Sequence, residues 1–249
     1  MNKKMYLLTT RPIDDALKDC KILRKKGVNA IASPSMGIIK NKLTLKSRYD
    51  GVFLTSRNAA HIIKILDNKE IPVFCVGSST AKLSRFYGAK NVIVGNSDAL
   101  FLANKIKDYL PKNSNIIWPS NNELKDNVYK SIQADIINID KKIIYSNYSL
   151  ERIDQDSHSL ITKKQVSVIL FFSLKSAEMW IELINKSNLF KFLENVYFVG
   201  INDLIIKYLN DLCLSNLFLS RRKRRASVIS KGIKTVSYTH LRAHETKWH

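Results

Sequence analysis

Small hydrogen-bonding residues stand at recurring places in this sequence: Thr10–Arg11, Thr55–Ser56, Gly77–Ser78–Ser79–Thr80, Ser173 and Gly200–Ile201–Asn202. Each follows a short apolar run and precedes a helical pattern. In an open parallel sheet, ligands bind beyond the carboxyl ends of the strands. A helix that starts there offers unpaired N–H groups and a partial positive charge, which suit carboxylates. Gly77 and Gly200 admit close backbone approach, and the hydroxyls add donors. The same residue types also cap helices with no ligand present, so each position carries both readings. Two such rims facing one another would suit a ligand with many carboxylates.

Other chemistries have little material. The sequence holds no GxxxxGK[ST], GxGxxG, HExxH or GxSxG segment. Ahead of residue 235 the His are His61 and His158, too few for a His-based triad or metal site. His61 falls within an apolar helical pattern and reads as structural. Cys20, Cys75 and Cys213 are scattered and show no metal-ligand spacing, which suits a reducing cytoplasm. The residues thus give a metal site little material.

The positioning elements follow from the apolar pattern. Strands are expected at Tyr6–Thr9, Val28–Ala32, Gly51–Thr55, Val73–Val76, Asn91–Val94, Asn115–Trp118, Val168–Phe172, Val196–Val199 and Asn216–Leu219. One or two extended segments are expected within Asp135–Tyr145, and a crossing segment up to about Leu45. Helices are expected over Asp14–Lys26, stopped by Gly27, and over Thr80–Tyr87, stopped by Gly88. Further helices are expected at Asp98–Leu110, Leu124–Ile132 after the polar start Asn121–Glu123, His158–Lys164 and Leu204–Leu212. Ala59, Ile62, Ile63 and Leu66, and again Ala177, Trp180, Ile181 and Ile184, recur at helical spacing. Short apolar strands alternating with helices predict parallel βαβ units. About nine strands fit two doubly wound α/β domains better than one wide sheet.

The two halves echo one another. GVFLTSRNA, starting at Gly51, is followed by PVFCVGSSTA from Pro72; VILFFSLKSA, starting at Val168, is followed by NVYFVGIND from Asn195. Each half therefore has a strand–Ser–helix unit and then a strand–Gly–helix unit. Recurrence of α/β units by physics alone is the competing explanation.

The net charge of +20 would suit a polyanion, but nine of the 41 Lys and Arg lie in residues 221–249 against the single acid Glu245. The remainder is largely Lys among Ile and Asn, as on a solvated surface with biased composition; an anionic small molecule is the second reading and nucleic acid the third. Arg221–Arg225 reads as an exposed segment before a short helix, Ala226–Lys234. Residues 235–249 (TVSYTHLRAHETKWH) show no apolar periodicity and resemble translated adaptor or vector sequence, so they are set apart as a non-native tail. No stretch approaches the roughly 20 apolar residues of a membrane span, and a cytoplasmic protein is expected.

Taken in order, LTTRP, DGVFLTSRNA, PVFCVGSSTA, IIWPSNNELKD, IIYSN and VSVILFFSLKSA resemble the uroporphyrinogen-III synthase family, from about Tyr6 to Leu219. The resemblance implies a bilobal fold with a central cleft: two α/β domains joined by a two-strand linker. It places residues 1–38 and 148–234 in one discontinuous domain and 43–143 in the other. It implies conversion of hydroxymethylbilane, a linear tetrapyrrole with eight carboxylates, to uroporphyrinogen III by a cofactor-free, cyclising lyase. It further implies a monomer with neither nucleic-acid nor membrane partners.

The resemblance puts the family's implicated Tyr at Tyr145, with Tyr148 as the neighbouring rival. Thr80 and Ser173 match positions that bind substrate carboxylates or line the cleft, and Asn58 and Lys175 would serve as polar and cationic contacts. Arg11, Ser56, Gly77, Ser79 and Asn202 complete the expected substrate-binding set. The second Gly unit departs from the family pattern: Asp203 would repel a carboxylate that it faced. The alternative to catalysis is a two-domain binding protein for an anionic small molecule.

Overall fold

The computed structural model describes residues 4–41, 43, 45, 48–96, 99–121, 126–134 and 137–245. The chain divides into two compact units, residues 1–37 with 148–249 and residues 38–147.

The first unit starts with β1 (Tyr6–Thr9), α1 (Ile13–Lys25) and β2 (Ala30–Ala32). Asp14 and Asp15 lie in the first turn of α1 and Arg24 and Lys25 in its last, each matching the helix dipole. Beyond it Gly27 takes φ +77°, while its N–H donates to Arg24 O and that of Val28 to Leu23 O. This is the paired bond of a Schellman stop. Next, β3 (Met36–Lys40) leads into the second unit.

The second unit contains β4 (Gly51–Leu54), a 3-10 helix (Arg57–Ile65), β5 (Val73–Cys75), α2 (Ser78–Phe86) and β6 (Val92–Val94). It continues with α3 (Ala99–Asn104), a 3-10 turn (Ile106–Asp108), β7 (Asn115–Ser120), α4 (Asp126–Ala134) and β8 (Asn138–Ile143). Strand β9 (Tyr145–Ser149) pairs with β3 in a two-stranded sheet, and both unit boundaries fall in this ribbon.

Back in the first unit come α5 (Gln155–Thr162), β10 (Val166–Phe171), α6 (Leu174–Lys186), a 3-10 turn (Phe190–Phe192) and β11 (Tyr197–Gly200). It closes with α7 (Asp203–Asp211), β12 (Leu217–Leu219) and α8 (Arg225–Glu245).

Each unit has a five-stranded parallel sheet, in the order β12-β11-β10-β1-β2 or β6-β5-β4-β7-β8. Side chains alternate between the faces with period two. Leu8, Ile169, Phe171 and Phe198 join one core of the first unit, with Trp180, Ile181 and Ile184 of α6. Leu7, Val168, Leu170 and Val199 join the other, with Leu23 of α1 and Val228 of α8. In the second unit Val52, Leu54 and Val73 pack with Ile62 and Ile63, while Phe53, Phe74 and Trp118 pack with Leu102 and Ile132. Burial on both faces is why β4 and β10 read as continuous apolar runs rather than alternating ones.

The sheet orders give the repeat a topological meaning. In each, two strands run outward in chain order from a central one, as β4-β5-β6 or β10-β11-β12, and a second pair, β7-β8 or β1-β2, lies on its other side. Ser56 and Ser173 therefore follow equivalent central strands, and Gly77 and Gly200 lie at the ends of their equivalent neighbours.

Several expected elements change. Twelve strands are present among the described residues instead of about nine, because the crossing segment contains β3 and the extended stretch ends in β8 and β9. Residues Arg57–Ile65 wind as a 3-10 helix although their apolar spacing predicts an α-helix. Ile and Asn are weak α-formers, and His61 Nδ1 lies 2.9 Å from Asn58 O, within the helix's own backbone. The long helix expected up to Leu110 breaks at Asn104, where Lys105 N–H bonds back three residues to Leu102 O. Its expected start at Asp98, and Asn122, Glu123, Leu124 and Asp135, lie outside the described residues. The last helix does not stop at Lys234. Val228, Ile229 and Val236 form a stripe on α8 that packs with Leu7 and Leu170, so residues set apart as a tail contribute to this core. Three further helices stop without a Gly: Lys164, Asn188 and Cys213 take φ +51°, +55° and +57° and make the same paired closing bonds as Gly27.

Candidate functional site

The expected residues fall at the carboxyl ends of neighbouring strands within each unit. In the first unit Leu219, Gly200 and Phe171 are register partners across β12, β11 and β10, and Thr9 pairs with Leu170 across β10 and β1. Arg11, Ser173, Lys175 and Asn202 follow directly and share one rim. In the second unit Ser56 and Asn58 follow β4, while Gly77, Ser79 and Thr80 follow the adjacent β5.

Many of these side chains serve the backbone. Ser173 Oγ accepts from Ser176 N at 3.1 Å, Asn202 Oδ1 from Ile205 N at 3.2 Å and Ser56 Oγ from Asn58 N at 3.2 Å. These three caps satisfy helix-start amides. Helix α2 differs: Gly77 provides no side-chain cap, Ser78 and Ser79 are not buried, and a Cβ on Gly77 would meet nothing within 4 Å. The first turn of α2 is open to a carboxylate. Thr80 is buried behind it.

The two glycines consequently have different physical roles. A Cβ on Gly200 would sit 3.1 Å from both Ile205 Cγ2 and Ile206 Cδ1, so Gly200 serves the close packing of α7 on its strand. Asp203 and Lys175 lie unburied in the first turns of α7 and α6.

Arg11 is already engaged. Its Nη2 donates to Asp15 Oδ2 at 2.6 Å, its Nη1 lies 3.4 Å from Asp19 Oδ1, and its guanidinium sits 5.1 Å from the Phe172 ring centroid. Asp19 is fully buried; it also accepts from Thr9 Oγ1 at 3.2 Å and from Arg225 Nε at 2.6 Å. The sequence offered a signal for Asp19, since it occupies the buried stripe of α1 with Ala16, Cys20 and Leu23. A charge on an apolar stripe is rarely fully buried without partners.

The crossover direction of the first sheet reverses between β1 and β10, where a crevice normally opens. Here buried hydroxyls meet: Thr10 Oγ1 donates to Leu170 O at 2.9 Å, Ser176 Oγ to Thr10 O at 3.0 Å, and Ser35 Oγ lies 3.1 Å from Ser176 Oγ. Trp180 Nε1 donates to Ser33 Oγ at 2.9 Å beneath them. Ser33, Ser35 and Ser176 were not singled out by the sequence, whose polar spacing gives no sign of their burial. A hollow of about 550 Å³ between α7 and the edge strand β12 includes Asp203, Lys207 and Leu219 but none of the expected binding residues. Among the described residues no group of three or more His, Cys, Asp or Glu side chains is placed to hold a metal.

A family profile described as Uroporphyrinogen-III synthase HemD matches residues 19–230, most of the chain. The chain belongs to the uroporphyrinogen-III synthase family. Among solved structures it is similar to the uroporphyrinogen-III synthetase of Helicobacter pylori, at TM-score 0.62 and 14% identity, covering 93% of this chain and 99% of that one. It is also similar to a mutant uroporphyrinogen III synthase from the extremely thermophilic bacterium Thermus thermophilus, at TM-score 0.53 and 11% identity, covering 94% and 99%. At these identities the likeness establishes a shared fold. A comparison with curated protein sequences gives no significant match.

Uroporphyrinogen-III synthases are enzymes, which directs attention to the phenols of β9. Tyr145 is 5% exposed and packs in the core containing Val52, Ile62 and Ile144, whereas Tyr148 is 45% exposed. The Tyr148 ring lies against Gly37 and leaves no room there for a Cβ. Tyr145 is thus fixed by packing, and Tyr148 is the more accessible of the two phenols.

Proposed function

We propose that this protein is a uroporphyrinogen-III synthase: a lyase that cyclises hydroxymethylbilane to uroporphyrinogen III, inverting ring D and releasing water. The family match over residues 19–230 carries the reading. The open start of α2 and the accessible Ser79 support it, because they suit the carboxylates of such a substrate.

The chemistry is acid–base and conformational, since loss of water with ring closure leaves the oxidation level unchanged. A pyrrole electron pair expels the terminal hydroxyl, which takes a proton and leaves as water. Carbon–carbon bond formation at the substituted position of ring D gives a spiro intermediate. Cleavage of the bond from that position to its original bridge, and attack on the freed bridge carbon by the ring's other, unsubstituted α-carbon, invert the ring; loss of the proton from that α-carbon restores aromaticity. The protein's task is to hold the terminal rings in the geometry of this route, against direct closure to the type I isomer.

In this reading Gly77, Ser79 and Thr80 bind carboxylates at the start of α2, and Ser56 and Asn58 flank them on the next strand end. Ser173, Lys175, Asn202 and Arg11 contribute from the rim of the first unit. Tyr145 assists departure of the hydroxyl by hydrogen bonding. Tyr145→Phe tests this role because it keeps the buried ring and removes the hydroxyl. A fall in kcat of about 10²-fold with unchanged thermal stability supports the role. Unchanged turnover in this variant, with loss in Tyr148→Phe, transfers the role to Tyr148. Formation of type I product alone from hydroxymethylbilane by the wild-type protein refutes the whole reading.

A further inference from the structure

Strand β12 ends at Leu219, in register with Gly200, so Ser220 and Arg221 stand beside Ile201 and Asn202 at the carboxyl edge of the first sheet. The following run, Arg221–Arg222–Lys223–Arg224, is pinned at this edge. Ser220 is buried; its N–H donates to Gly200 O at 2.9 Å and its hydroxyl to Arg222 O at 2.9 Å. Arg222 N–H donates to Ser227 Oγ at 3.1 Å, and Arg224 N–H to Arg222 O at 2.7 Å. The backbone is therefore a fixed turn leading into α8.

The four side chains are exposed, and among the described residues none forms an ion pair. Their neighbours are already committed: Arg225 binds Asp19, and Arg11 binds Asp15 and Asp19. Asp203, exposed in the first turn of α7, is the acid that the Gly200 turn adds to this edge. Residues 221–224 therefore add to this edge four positive charges without an ion pair among the described residues. Guanidinium groups bind carboxylates through two parallel hydrogen bonds, with more geometric definition than a lysine gives.

We propose that Arg221, Arg222, Lys223 and Arg224 form a carboxylate-binding edge that captures side-chain carboxylates of the linear tetrapyrrole and offsets the repulsion from Asp203. The inference rests on the proposed function for its substrate and adds residues outside the expected binding set. A double-stranded nucleic acid would also be attracted by four cations, but the pairing of Leu219 with Gly200 sets the run just beyond the carboxyl edge of the parallel sheet, where small ligands bind in such folds.

The test compares wild type with the variant R221Q/R222Q/K223Q/R224Q, leaving Arg225 on Asp19. Binding of uroporphyrin, a stable octacarboxylate macrocycle, is followed by fluorescence, and KM is measured for hydroxymethylbilane. Because the side chains are exposed, the thermal midpoint should hold. The expected result is about tenfold weaker uroporphyrin binding and a similar rise in KM, with a shallower dependence on ionic strength. Changes below about twofold in both quantities overturn the proposal. So does loss of binding to a duplex oligonucleotide with uroporphyrin binding intact. If wild type binds uroporphyrin through these residues yet produces no type III isomer, the carboxylate edge stands and the proposed enzyme function fails. Should the quadruple variant unfold, R221Q/R222Q is read by the same criteria.

Discussion

Replacing Asp19 with Asn keeps the side chain's volume and removes a negative charge that Arg11 and Arg225 share. Asp19 is 0% exposed, while the Arg11 and Arg225 side chains are 18% and 40% exposed. Breaking a fully buried pair by removing one partner costs about 3–5 kcal/mol. Solvent reaches Arg225 and screens part of that loss, so about 2–3 kcal/mol is expected. At this chain length the change lowers the melting midpoint by about 4–12 °C. The two units have separate cores, so hydrogen exchange accompanies the thermal scan: amides of α1 and the start of α8 should lose protection while those of β4, β5 and β7 keep theirs. Arg11 would keep its bond to Asp15 but lose the weaker ion pair to Asp19, freeing part of its guanidinium at the end of β1 and changing KM for hydroxymethylbilane. A loss below about 0.5 kcal/mol, with α8 still protected, would show that packing rather than the buried charge network docks this helix.

Gly232→Ala should cost about 1–3 kcal/mol in a urea titration, because the new methyl would lie 2.8 Å from Leu170 Cδ2 and 3.2 Å from Leu7 Cδ1. Lys164→Gly should raise stability by about 0.5 kcal/mol in the same assay, relieving a left-handed Lys at the end of α5. Iodoacetamide at about pH 8 should modify Cys213 first, by mass spectrometry of the native protein: Cys213 is exposed, whereas burial pushes the Cys20 thiol up to about 11 and also raises that of Cys75. Burial lowers the proton affinity of His61, outweighing the opposing contribution of its bond to Asn58 O. As pH falls through the ordinary value of about 6.5, the unfolded chain takes up a proton before the folded one, so stability drops in that window and His61→Gln should flatten the drop.

Legibility of the fold followed burial. Strands β4 and β10, buried on both faces, stand out as apolar runs bounded by polar residues, and Gly27 and Gly88 mark helix stops because their left-handed conformation favours Gly. The stops at Lys164, Asn188 and Cys213 carried no such mark, since tertiary packing holds ordinary residues in the same conformation. Strand β3 was hidden in a short mixed segment whose partner, β9, lies more than a hundred residues later. At the candidate site, composition located the strand ends but did not separate capping from binding. Hydrogen bonds assign Ser56, Ser173 and Asn202 a capping role, contacts around a Cβ divide Gly77 from Gly200, and burial divides Tyr145 from Tyr148. These distinctions depend on neighbours brought from distant sequence. The polar edge beyond β12 likewise becomes informative only once Leu219 is paired with Gly200.

The most direct test of the proposed activity is the isomer composition of the macrocycle formed from freshly generated hydroxymethylbilane. Products are oxidised to uroporphyrins and separated by liquid chromatography, with a protein-free reaction measuring spontaneous closure. The expected result is that the protein diverts the product to the type III isomer. A type I product identical to the protein-free reaction, from folded protein under the same conditions, would contradict it.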